Sequence, residues 1–102
     1  MILIATAANA AAAAHDHSFS LPATNCILRM FSHYFSAGTG ILYVNVGTAH
    51  DNYYNVLISA TNLGTNGFQN PEFCLLPSKD VTFRVINSAL CDYRLVFFIE
   101  VP

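Results

Sequence analysis

The chain has 102 residues, a formal charge of −2, 54% hydrophobic residues and only 10% charged ones, against about 25% charged in ordinary soluble domains. That length holds one domain with one core, and four Lys plus Arg without a basic cluster argue against a nucleic-acid partner. No apolar run approaches the roughly 18 residues of a membrane-spanning helix, so the surplus apolar surface is expected at contacts between subunits.

In chain order, residues 1–14 start with Met-Ile-Leu-Ile-Ala-Thr and become alanine-rich. The apolar part is short and no Lys or Arg precedes it, so a secretory signal is not expected. Residues 2–6 suit a first strand; the alanines suit a short helix or an extended arm, marginal as a free helix in water. Small side chains let backbones approach closely, and residues 1–17 are expected to form an N-terminal arm across a neighbouring subunit, with Ile2 and Ile4 as its contacts. The sandwich domain is then residues 18–102. His15, Asp16 and His17 are expected in a solvated turn. On a strand, the i, i+2 spacing would put both imidazoles on one face with Asp16 opposite, but two ligands are not a metal site.

Residues 18–22 form a short alternating segment that Pro22 ends. Residues 25–35 are a longer strand with apolar groups on both parities, which predicts burial on both sides or a bulge near Met30; a helix over residues 26–34 ranks second. Gly38 and Gly40 mark the following turn. Residues 41–46 are a strand with Leu42, Val44 and Val46 inward. A polar turn holds His50, Asp51 and Asn52, and residues 54–61 are a strand with Val56, Ile58 and Ala60 inward. Residues 62–71 are expected as a long surface loop. A short strand over 73–76 closes at Pro77, and residues 81–87 alternate with Val81, Phe83 and Val85 inward. In residues 92–102, Tyr93, Leu95, Phe97 and Ile99 take one face and Arg94, Val96, Phe98 and Glu100 the other. Both faces of this last strand carry apolar bulk, so its outer side is expected to be covered.

The fold class that follows is all-β: an antiparallel sandwich of about seven or eight strands, jelly-roll or Greek-key in connection. Chemistry finds little purchase. Cys26, Cys74 and Cys91 lie in or beside apolar strands, where a thiol behaves as a small hydrophobe, and an odd count in separate strands predicts reduced cysteines. No Gly-x-Ser-x-Gly elbow, Cys-His motif or phosphate-binding loop occurs, and the carboxylates are scattered. No enzyme, catalytic residue, cofactor or metal is expected.

The order of features resembles small β-sandwich virion proteins of tailed bacteriophages, such as capsid decoration or head-fibre base proteins. An apolar N-terminal stretch is followed by residues 25–35, Gly-Ile-Leu-Tyr-Val-Asn-Val-Gly at 40–47, Leu-Leu-Pro-Ser-Lys-Asp-Val-Thr-Phe-Arg-Val at 75–85 and a terminal Val-Phe-Phe-Ile-Glu-Val. The resemblance implies a structural virion subunit that assembles in the host cytoplasm, as a trimer or higher homo-oligomer, on a major capsid or other virion protein. Its expected interface residues are Arg94, Val96, Phe98, Glu100, Ile2 and Ile4. The alternative is a small secreted β-sandwich binding module for sugars, with Tyr53, Tyr54 and Phe68 as stacking platforms.

Overall fold

The computed structural model describes residues 1–47, 56–75 and 79–102, with side chains described for all of these except 56–60. Among them nine strands run in order: β1 (Ile2–Ala10), β2 (Ala14–Ser20), β3 (Ile27–Phe35), β4 (Gly40–Val46), β5 (Val56–Leu63), β6 (Asn66–Gln69), β7 (Phe73–Cys74), β8 (Asp80–Asn87) and β9 (Cys91–Glu100). They pair antiparallel into two sheets. The first has the order β1-β9-β3-β6, with β7 also on β3, and the second β2-β8-β4-β5. Setting aside the two-residue β7, eight strands remain, and the chain changes sheet at every step except the β4–β5 hairpin. That is the jelly-roll connection within the expected all-β antiparallel sandwich.

The alternation of side chains builds this arrangement. In β9 Cys91, Tyr93, Leu95, Phe97 and Ile99 are buried; Arg94 and Glu100 point out exposed, with Val96 and Phe98 half-covered between them. Val81, Phe83 and Val85 of β8 and Leu42, Val44 and Val46 of β4 are buried in turn. The two inner faces meet where the rings of Phe83 and Phe97 stack, with centroids 3.7 Å apart and planes 8° from parallel. Gly40 is buried because the Phe35 ring lies over it: a Cβ there would stand 2.4 Å from Cζ of Phe35.

Three expectations are corrected. Residues 1–17 are not an arm outside the domain. Leu3 and Ala5 are buried in the core, β1 pairs with β9 from Ile2 opposite Phe98 to Ala7 opposite Tyr93, and β2 pairs with β8 from Ala14 to Ser20. Ala5 and Ala10 are buried on the inner face, and backbone pairing with β9 supplies the ladder that an isolated segment lacks. The register slips between Ala7 and Ala10, with Asn9 at φ 50°, a backbone state that asparagine tolerates. Asn87 secures the turn beyond: its Nδ2 donates to the carbonyls of Ala10 at 3.0 Å and Ala89 at 2.9 Å.

The second correction concerns residues 62–71, expected as one loop. β5 runs on to Leu63, and residues 66–69 form β6 on β3, with His33 opposite Gly67. An unpaired β3 edge would leave backbone groups open, and this short strand covers them; it brings the strand number to nine among the described residues. Third, His15, Asp16 and His17 lie in β2 rather than in a turn. The bulge expected near Met30 is present between Leu28 and Met30 on the β9 side. It switches parity, so that Leu28 and then Phe31, His33 and Phe35 point inward. Expectations for His50, Asp51, Asn52, Tyr53, Tyr54 and Pro77, and for the side chains of Val56, Ile58 and Ala60, lie outside the described residues.

Candidate functional site

The outer face of the first sheet is built by register. Partners across antiparallel strands share a face, so Ile2, Phe98 and Met30 form one row, and Ile4, Val96, Ser32 and Phe68 the next. A third row holds Thr6, Arg94, Tyr34 and Asn66. Ile2 is 58% exposed, Ile4 43%, Tyr34 50% and Phe68 66%. The face therefore presents apolar side chains side by side over three strands and Phe68 on the fourth.

Its two ends carry charged groups of both signs: Asp92 stands beside Arg94 on the outer side of β9. At one end Arg94 is exposed and has no ion-pair partner among the described residues. At the other, Arg29 contacts Glu100 at 2.7 Å and Glu72 at 3.5 Å, leaving two carboxylates on one guanidinium. The hydrogen bond from Arg29 to Glu100 raises the arginine pKa further. All six residues singled out in the sequence, Ile2, Ile4, Arg94, Val96, Phe98 and Glu100, lie on this single face. Met30, Tyr34, Arg29 and Glu72 share it with the other members of these rows and were missed. Met30 and Tyr34 have the same parity in the sequence, but the bulge before Met30 had to be placed before that parity could be assigned outward.

The histidines occupy a different place. His15 and His17 alternate with exposed Asp16 along β2, so both imidazoles lie on the inner side, half-buried beside Tyr93. Nε2 of His17 is hydrogen-bonded to the Tyr93 hydroxyl at 2.6 Å. Burial, and then the neighbouring His15, hold His17 below its usual pKa, with Asp16 opposing. Burial also pushes the Tyr93 phenol up to about 12. Asp16 faces outward and accepts two hydrogen bonds from Arg84, at 2.7 and 3.0 Å; this bidentate pair orients a guanidinium rather than an imidazole. His33 is buried with neither ring nitrogen hydrogen-bonded, and burial lowers its pKa.

No group of three His, Cys, Asp or Glu side chains converges among the described residues. Cys26, Cys74 and Cys91 are unpaired thiols, the first and last buried and Cys74 exposed. No described helix is long and apolar enough to cross a membrane.

No protein family matches the sequence, and no curated protein does. Among solved structures the chain is similar to TmCBM61 in complex with β-1,4-galactotriose, at 16% identity and a TM-score of 0.47, over 99% of this chain and 82% of that one.

Proposed function

We propose that this chain is a non-catalytic binding module that works by self-association through the outer face of its first sheet. One observation carries the proposal. Ile2, Ile4, Met30, Val96 and Phe98 lie in adjoining positions across three strands, on the side of the sheet turned away from the core. Scattered apolar surface residues need no explanation, but a contiguous patch with a charged rim has the anatomy of a protein interface. With 10% charged residues, the chain has little else with which to keep such a face in water. A virion subunit, the setting that the sequence layout implies, is one case of such an assembly protein.

The test is sedimentation of the wild-type chain at micromolar concentration beside Phe98→Ser. The expected result is an oligomer for the first and folded monomer for the second. A wild-type chain that sediments as a stable monomer would remove the proposal.

A second reading, a carbohydrate-binding module, is favoured by the polar end of the same face. Tyr34, Arg94, Thr6 and Asp92 border a shallow groove of about 510 Å³. One half-exposed aromatic face among hydrogen-bonding side chains suits a sugar ring. Titration with a panel of oligosaccharides tests it: binding lost in Tyr34→Ala and retained in Phe98→Ser would support this reading over self-association.

A further inference from the structure

β1 ends the order of the first sheet, so one side of it has a strand and the other has none among the described residues. Register decides which backbone groups face the open side. Met1 and Ile99 exchange both ladder bonds, N–H of each to the carbonyl of the other, at 3.0 and 2.8 Å. Antiparallel pairs alternate between bonded and unbonded, so Leu3, Ala5 and Ala7 also bond to β9, and the N–H of Asn9 turns the same way, to Asp92 at 2.8 Å. Ile2, Ile4, Thr6 and Ala8 therefore turn their N–H and C=O groups away from β9. Native edges are blunted by charge, shortness, proline or a bulge. β2 carries Asp16, and β6 has only 4 residues. Over Ile2–Ala10 β1 has no proline and no charged side chain, and its register stays regular from Ile2 to Ala7.

We propose that the open edge of β1 pairs antiparallel with β1 of a second copy, about a twofold axis perpendicular to the sheet at Ala5, so that the first sheet runs on through both molecules. This contact is separate from self-association through the outer face and goes beyond it. Self-complementarity in one register selects a second copy as the occupant. Ile2 of one copy comes opposite Ala8 of the other and Ile4 opposite Thr6, so every outward N–H and C=O of these residues gains a partner. The side chains fit in the same register: Ile2 against Ala8 and Ile4 against Thr6 on the outer face, Leu3 against Ala7 on the inner one, large against small each time. The two Ala5 methyl groups meet at the axis. Shifting the register by two residues leaves Ile2 or Ala8 unpaired, and one of the two shifts sets Ile4 against Ile4. Charge agrees with the centred register. The charged groups nearest the edge are the Met1 ammonium, bonded to the carbonyl of Ile99, and Asp92, bonded to Asn9. Met1 of one copy comes opposite Asn9 of the other, so unlike charges approach at both ends. The contact is isologous, as closed dimers require.

Two edge strands make a small contact beside the roughly 1,600 Å² of a standard interface, so Phe98→Ser, monomeric at micromolar concentration, is expected to dimerise through the edge as its concentration rises to about 1 mM. Amide hydrogen exchange read by NMR in that variant gives the pairing residue by residue. Ile2, Ile4, Thr6 and Ala8 should exchange at least about twofold more slowly at about 1 mM than at about 20 µM, while Leu3, Ala5 and Ala7 are protected at both. Adding Thr6→Pro removes an outward N–H and no bond to β9, so the concentration dependence should vanish while the domain stays folded. Ile4→Lys, which gives β1 the charge that native edges carry, serves should Thr6→Pro not fold, and the same amides are read in the wild-type chain should Phe98→Ser not fold. Exchange at Ile2, Ile4, Thr6 and Ala8 that is independent of concentration, or equal association in Thr6→Pro, overturns the edge pairing. A wild-type chain that stays monomeric at micromolar concentration removes the outer-face reading alone, because the exchange is measured where that face is already disrupted.

Discussion

Phe97 and Phe98 are identical side chains one residue apart, and their replacement should have opposite consequences. Phe97 is fully buried, stacked on Phe83 and 5.8 Å from the Phe31 ring. Truncating a buried phenylalanine to alanine costs about 3–5 kcal/mol, from lost transfer energy plus the cavity left behind. For a domain of this size each kcal/mol shifts Tm by about 4–8 °C, so Phe97→Ala should melt on the order of 20 °C lower. That is a large part of a total stability of about 5–15 kcal/mol. Phe98 is only partly covered, by row neighbours Ile2 and Met30. Cross-strand neighbours of this kind contribute roughly 0.2–1 kcal/mol, so Phe98→Ser should lower the Tm of the monomer by less than about 8 °C. Melts followed by circular dichroism at submicromolar concentration separate this from assembly, since oligomerisation stabilises by mass action. Light scattering after gel filtration then reads the oligomer. If Phe98→Ser melts as low as Phe97→Ala, the outer face is packed within its own chain and the assignment of faces is wrong.

Acid should weaken the fold. Burial holds His17 and His33 below the ordinary histidine pKa of 6.5, so the unfolded chain takes up protons first as pH falls. Stability is therefore full above about 6.5 and declines from there down through the folded-state pKa values; urea midpoints at pH 7.5 and 5 should differ, and less so in His33→Phe, where equal differences in the two proteins would count against the assignment. Of the thiols, Cys74 is exposed while Cys26 and Cys91 are buried, so brief alkylation of the native chain should add a single adduct by intact mass, and a two-dalton loss before alkylation would contradict reduced cysteines. Deleting residues 1–10 removes β1, with Leu3 and Ala5 from the core. Such a chain should lose its cooperative melt, and retention of the wild-type transition would show that β1 is dispensable.

Where alternation is strong, the local pattern of the sequence determines which stretches are strands and which side of each is apolar. The alternation in residues 81–87 and 92–99 and the branched run at 41–46 are properties of neighbouring residues, and the structure keeps their inward sets intact. For the same reason Val96, Phe98, Arg94 and Glu100 could be assigned to one face: along an extended chain, parity alone decides it. Parity fails where the backbone departs from regular extension. The bulge after Leu28 changes which of Met30 and Phe31 points outward; the apolar groups on both parities of β3 signal a bulge or two-sided burial, and the register against β9 decides between them.

Pairing across long sequence separation was likewise beyond reach. Ile2 meets Phe98 from the far side of the sequence, and alanines at 7, 8 and 10, ambiguous by propensity, join the strand only because β9 offers them a ladder. Asn66 to Gln69, polar and glycine-containing, become β6 because the edge of β3 needs hydrogen-bond partners. His15 and His17 share a face by local spacing, but Tyr93, 76 residues away from His17, comes to them only when the two sheets close. Local chemistry thus decided the strands of strong alternation, β4, β8 and β9, and their faces. The rows, the charged ends and the neighbours of each histidine depend on contacts between residues far apart in sequence, whose energies enter only when the chain is folded.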